Sequence, residues 1–193
     1  MNRVCVFCGS SSGARAEYAL VSAQTGALIA RRGLGLVYGG GRVGLMGLTA
    51  DAALRAGGPV IGVITRALKG REVAHTGLTE LRVVHTMHER KALMASLSDA
   101  FLVLPGGIGT LEEFFEVWSW GQLGEHAKPV GLVNAGGYYD GLVTFFDTMR
   151  AEGFLKAKHR DMLVVADTPA AVLDGFARYE PPAVGKWVSP GEV

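Results

Sequence analysis

With 193 residues, 49% of them hydrophobic and 19% charged, the chain is long enough to bury a sizeable core, and a disordered body is excluded. A formal net charge of +1, with no Lys/Arg block longer than a pair, leaves no basic stripe for nucleic acid. No run approaches the ~18–20 continuous apolar residues of a membrane span, no signal-peptide pattern precedes the first strand, and two cysteines give no disulfide framework, so a reducing cytoplasm is expected.

Residues 3–7 (RVCVF) form the first apolar run, which ends in the loop CGSSSG at 8–13. Helical spacing follows over 15–32, with Tyr18, Val21, Thr25, Leu28 and Ile29 on one face, and stops before Gly33. A second strand at 34–38 leads into GGGRVG and a helix at 45–56, and a third strand is expected at 59–64. Residues 65–80 are polar and unperiodic, as in a long loop near a ligand face. Then come a strand at 81–85, a helix at 87–97, a strand at 100–104, a helix at 111–123 and a strand at 129–133. A helix at 138–152, an edge strand at 163–166 and a short helix at 169–179 close the domain, expected to span 1–180. The Pro/Gly-rich tail, 181–193, is expected to be extended.

Strands that alternate with helices, each strand a continuous apolar run, imply a parallel sheet covered on both faces. The expected fold is a Rossmann-like, doubly wound α/β/α sandwich of one domain. Such sheets bind ligands beyond the carboxyl ends of their strands, where strand order reverses. Three strand ends here carry glycine-rich loops (CGSSSG, YGGGRVG and PGGIGT), which implies one broad crevice.

Gly39, Gly41 and Gly44 satisfy G-x-G-x-x-G, but after the second strand rather than the first, and the next strand ends in Thr65 and Arg66 instead of an acid. A dinucleotide site is therefore disfavoured against a mononucleotide loop or a tight turn. No G-x-x-x-x-G-K-[ST] occurs, which excludes a P-loop. Cys5 lies inside the first strand, so Cys5 and Cys8 read as buried thiols rather than a redox pair. The five histidines form no metal-binding set, and no metal is expected. Thr86-Met87-His88-Glu89 reads as a capping box, with Glu89 as its acid. Arg90 and Lys91 follow in the first turns, where they oppose the helix dipole at about 0.3–1 kcal/mol each. A bound anion offsets such a cost, which favours a functional Arg90 and, less strongly, Lys91.

The chain is organised around residues 105–113, PGGIGTLEE. A buried strand that runs through glycines into a helix presents unpaired N–H groups and the positive end of a dipole, a ready anion site. Gly106, Gly107 and Gly109 let the backbone approach a ligand, and Glu112 and Glu113 are expected in the first helical turn. Thr110-Leu111-Glu112-Glu113 is also T-x-x-E, so the residues alone leave Glu113 open between a helix cap and a catalytic acid.

PGGIGTLEE fits P-G-G-x-G-T-x-x-E at every fixed position, and MHERK at 87–91 resembles the second motif of the same family. With VFCGSS, YGGG, WSWGQLGEHAKPVGL and GYYDGL, nearly the whole chain resembles the "Lonely guy" proteins. These are cytokinin riboside 5′-monophosphate phosphoribohydrolases, long labelled lysine decarboxylases. The resemblance implies hydrolysis of the N-glycosidic bond of adenosine 5′-monophosphates, often N6-substituted, to free base and ribose 5-phosphate without a cofactor. It implies that Arg90 and Glu113 are the catalytic pair. Substrate contacts would fall on Lys91, Gly107, Ile108, Gly109 and Thr110, with Glu72 and Ser119 also implicated. Members of this length are usually homodimers, and residues 111–123 carry apolar side chains on more than one face (Leu111, Phe114, Phe115 and Trp118, then Val117 and Trp120), as an interface helix would.

The chemistry suits these groups. Ribosyl bond cleavage builds positive charge on the sugar, which a carboxylate stabilises while orienting water. An arginine, always charged, suits phosphate or a departing base. Two other readings remain: a non-catalytic nucleotide or cofactor carrier using the same crevice, and a pyridoxal-phosphate decarboxylase, for which Lys91 is the only lysine in a motif.

Overall fold

The computed structural model describes residues 1–69 and 74–182. The expected tail from residue 183 onward lies outside the described residues. Seven strands form one parallel sheet in the order β4-β3-β2-β1-β5-β6-β7. They are β1 (Arg3–Phe7), β2 (Gly35–Tyr38), β3 (Val60–Thr65), β4 (Glu80–Val84), β5 (Ala100–Val103), β6 (Val130–Val133) and β7 (Leu163–Ala166). The helices are α1 (Ala16–Arg31), α2 (Gly44–Arg55), α3 (Arg66–Lys69), α4 (Met87–Ser96), α5 (Ile108–Leu123), α6 (Asp140–Ala151), α7 (Ala157–Arg160) and α8 (Pro169–Ala177).

Side chains alternate across each strand, so every central strand feeds two cores. On β1, Val4 and Val6 join the core under α1, α2 and α8, whereas Cys5 and Phe7 join the one under α4, α5 and α6. On β5, Ala100 and Leu102 face the first layer and Phe101 and Val103 the second. The same alternation settles the two cysteines: both are free and buried, and they belong to opposite layers.

Strand order reverses at β1, which has β2 on one side and β5 on the other. The register pairs Phe7 with Val103, so the loops that leave these two strands start level. They are bonded to each other, with Gly9 N–H donating to Pro105 O at 3.1 Å. The loop after β2 joins them through Leu45 N–H, which donates to Gly9 O at 3.0 Å. Gly44 sits at φ +57°, and a Cβ there would lie 2.3 Å from the Ser10 carbonyl carbon. The three glycine-rich loops therefore pack as one unit, and Gly44 of G-x-G-x-x-G serves loop-on-loop contact.

Two local expectations are corrected. Helix α5 begins at Ile108 with Gly107 as N-cap and has no acidic residue in its first turn. Thr110 is then inside the helix, Glu112 and Glu113 lie in its second turn, and Thr110–Glu113 is not a capping box. The stretch expected to be a loop over 65–80 holds the short helix α3 and starts β4 at Glu80.

Candidate active site

At the reversal point the carboxyl ends of β1, β2, β3 and β5 surround a cleft of about 420 Å³. Gly107, Ile108, Gly109 and Thr110 form one wall with Glu112 and Glu113, and Arg90, Met87, Met46 and Leu68 also line the cleft. Cys8, Gly9 and Ser10 complete it. Gly9, Ser10 and Gly107 are shared with an adjoining lobe of about 270 Å³ lined by Tyr18, Leu45 and Tyr138. Tyr138 donates its hydroxyl to Gly106 O at 2.6 Å, which fixes the start of the glycine loop.

The first turn of α5 faces the cleft with backbone N–H groups that no side chain caps. Together with the helix dipole they suit an anion. The absence of a Cβ at Gly107 and Gly109 leaves that wall open, for nothing lies within 4 Å of where either would be.

Helix α4 delivers Arg90. Its start is fixed by the capping box expected from Thr86 and Glu89, the Thr86 hydroxyl accepting from Glu89 N–H at 3.1 Å. Glu89 in turn accepts from His85 N–H at 2.8 Å and Thr86 N–H at 3.3 Å. Glu89 is thereby a cap, and those two hydrogen bonds hold its carboxyl below the usual glutamate range. One turn in, Arg90 is buried and its three guanidinium nitrogens face three separate partners, two carbonyl acceptors and one carboxylate. Nε donates to Val63 O at 3.0 Å, Nη2 donates to Gly39 O at 3.1 Å, and Nη1 lies 3.4 Å from Glu113 Oε1. The side chains of Arg90 and Glu113 are only 7% and 13% exposed, so the pair works in a medium that screens charge poorly.

Cys8 borders the same space. Burial first and the Glu113 charge second push its thiol up to about 12, so it stays a neutral thiol and not a nucleophile.

Lys91 and Ser119 do not line the cleft. Lys91 is buried with its ammonium on the Glu112 carboxylate and 3.0 Å from Glu116 Oε1. Burial pulls the Lys91 pKa down, yet the hydrogen bonds it donates to Glu112 and Glu116 and the charge of those carboxylates outweigh it and raise it overall. A charged amine held this way is a poor Schiff-base former. Ser119 is exposed on α5, about 9 Å along the axis from Glu113 at 1.5 Å per residue. Glu72 lies outside the described residues.

Sequence reasoning missed Met46, Leu68 and Tyr138. Only the loop CGSS, singled out as a glycine-rich strand end, signalled that β1 would border the site.

The family model described as "Possible lysine decarboxylase" matches residues 46–176. The chain is 51% identical over 179 residues to a probable cytokinin riboside 5′-monophosphate phosphoribohydrolase of Oryza sativa subsp. japonica, covering 93% of this chain and 79% of that one. It is 48% identical to a cytokinin riboside 5′-monophosphate phosphoribohydrolase of Arabidopsis thaliana, with 93% and 82% covered. Among solved structures, the molybdenum cofactor binding protein of Rippkaea orientalis superposes with a TM-score of 0.69 at 21% identity, covering 92% of this chain and 96% of that one. At that identity the likeness is one of fold. By the family model and by these relatives, the chain belongs to the "Lonely guy" family of cytokinin riboside 5′-monophosphate phosphoribohydrolases, the family whose domain carries the lysine decarboxylase description.

Proposed function

We propose that the chain is a phosphoribohydrolase that cleaves the N-glycosidic bond of adenosine 5′-monophosphates, N6-substituted ones of the cytokinin type included. The observation that carries this reading is the buried Arg90–Glu113 pair on the cleft that the first turn of α5 opens onto. In this reading the N–H groups of Gly107, Ile108 and Gly109, with Thr110, take the 5′-phosphate, and that remote binding positions the ribose. The bond from C1′ to the base breaks, the base leaves with the electron pair, and positive charge spreads over C1′ and the ring oxygen. Glu113 stabilises that charge and takes the proton of the attacking water, whose oxygen bonds to C1′. The departing base takes up a proton, and ribose 5-phosphate remains. Arg90, 3.4 Å from its carboxylate, orients Glu113.

The raised pKa of Lys91 and its two carboxylate partners speak against a pyridoxal Schiff base. Because Lys91 and Ser119 stand outside the cleft of one chain, a substrate contact from either requires a second copy packed on α5, and we take the chain to be a homodimer through that helix. Two free cysteines, both buried, agree with the cytoplasm as its compartment. No described helix is long and apolar enough to cross a membrane.

Incubation with AMP and with N6-isopentenyl-AMP, the nucleosides serving as controls, is expected to release free base from the monophosphates only. Glu113→Gln is expected to lower turnover by at least about a hundredfold, the scale of a lost acid–base group, while nucleotide binding survives. Binding without base release from the wild-type protein would favour a carrier instead.

A further inference from the structure

The glycine loop that receives Arg90 is held in place by a residue far from the reacting atoms. His75 donates its main-chain N–H to Gly40 O at 3.0 Å, and Ala74 bridges Gly41 in antiparallel fashion. From the other side, the buried Tyr38 hydroxyl donates to Gly41 O at 3.1 Å. The two peptide groups after the one that carries Gly39 O are thus both clamped, which restrains the direction of Gly39 O, the acceptor of Arg90 Nη2.

The His75 ring is itself fixed at both nitrogens. Gly77 N–H donates to Nδ1 at 3.0 Å, so the proton sits on Nε2, which donates to Asp51 Oδ1 of α2 at 2.9 Å. His75 is buried to 7% exposure, whereas the Asp51 side chain is 46% exposed. A buried imidazole with both nitrogens engaged resists rotation, because any turn of the ring leaves polar groups unpaired. The structure assigns to His75 and Asp51 the part of positioning residues for the Arg90–Glu113 pair, and for its kinetic test this rests on the phosphoribohydrolase reading. The linkage runs from Asp51 through His75, Gly40 and Gly39 to Arg90, and from there to Glu113. Among the described residues, neither His75 nor Asp51 lines the cleft, and the linkage on which each acts runs through Arg90.

The test compares His75→Ala, Asp51→Ala and Asp51→Asn, each alone and His75→Ala also on Arg90→Ala. His75→Ala is expected to lower kcat for AMP by about ten- to a hundredfold, the scale of a displaced catalytic group, and to leave KM within about twofold. Asp51→Ala, a more exposed change less harmful to folding, should move kcat in the same direction. Asp51→Asn should restore it, since an amide oxygen still accepts from Nε2–H. On Arg90→Ala, the His75 change should cost nothing further, because the group it positions is gone. Independently of turnover, the Arg90 Nε–H resonance in 15N-labelled protein should shift or broaden in His75→Ala and Asp51→Ala. Wild-type kcat with an unmoved resonance in both alanine variants would overturn the inference, as would an equal loss of kcat on the Arg90→Ala background. A wild-type protein that releases no base would sink the enzyme reading, and the resonance would still decide this one.

Discussion

A Cβ placed on Gly39 would lie 2.1 Å from Nη2 of Arg90 and 3.3 Å from its Cζ. The clash falls on the end of a flexible side chain, so the fold can yield where the site cannot. Gly39→Ala is therefore expected to push the guanidinium off Gly39 O and away from Glu113. A shift near 1 Å is worth about a hundredfold in kcat, with little change in melting temperature. Steady-state turnover of AMP beside a thermal scan measures both, and unchanged turnover would mean that Arg90 does not need that carbonyl. Gly44 is the contrasting case, since a side chain there would meet the Ser10 backbone and strain a positive φ. The sequence marks both positions as bare backbone, through one G-x-G-x-x-G pattern. What approaches each of them is not written in the pattern: the arginine comes from 51 residues away and the serine from the loop after β1. The His75–Asp51 pair is hidden for the same reason, joining a helix to an unperiodic stretch 24 residues later.

Among the elements, α4 and α5 show when a terminus can be read. Helix α4 starts where Thr86 and Glu89 predict, because a side-chain cap leaves a signature of residue type and spacing. Helix α5 starts at Gly107, an N-cap with no side-chain hydrogen bond, while Thr110 and Glu113 imitate a cap one turn too late. The short helices α3 and α7, four residues each, are below the length at which apolar spacing carries information. Since α4 places Arg90, its cap bears on activity as well as stability. Thr86→Ala is expected to cost about 1 kcal/mol. Glu89 adds a pH signature. Its folded-state pKa is depressed, so its charge stabilises the native state above the unfolded value of ~4.3 and that contribution is lost as pH falls through the folded value. Urea unfolding of the wild type and Glu89→Gln, which keeps an acceptor oxygen, should differ at neutral pH and converge in acid as pH falls through the depressed folded value. A gap between the two that stayed constant with pH would remove the charge from the account.

At the scale of the whole molecule, the seven strands and the reversal at β1 place the site, and six of the strands are legible as short, largely apolar runs, whereas β4, ELRVV, carries Glu80 and Arg82. Their order is not, for pairing joins segments far apart in the chain and depends on the connections taken. The remaining question at this scale is what covers α5. Phe114, Val117 and Trp118 are consumed inside the chain, where Trp118 stacks on Phe114 and meets Phe146 edge-on at 4.9 Å. Ile108, Phe115 and Leu123 are not, being 88%, 37% and 54% exposed. They recur at helical spacing with Glu112 and Ser119 between them, a stripe that runs from the cleft along the helix. Beside it, α4 and α5 leave a groove of about 530 Å³ lined by Ala92, Ala95, Trp120, Leu123 and His126. A second copy on this stripe would shelter the apolar side chains and bring Ser119 toward a cleft, which neither chain achieves alone. Light scattering at micromolar concentration is expected to give twice the chain mass, and Phe115→Asp with Leu123→Asp to halve it. A stable dimer needs roughly 800 Å² per partner, so two charges set into one such face should suffice to split it. If the interface completes the site, the split form loses turnover even where its melting temperature permits folding. A wild-type monomer at that concentration, with full turnover, would return the stripe to solvent and confine the chemistry to one chain.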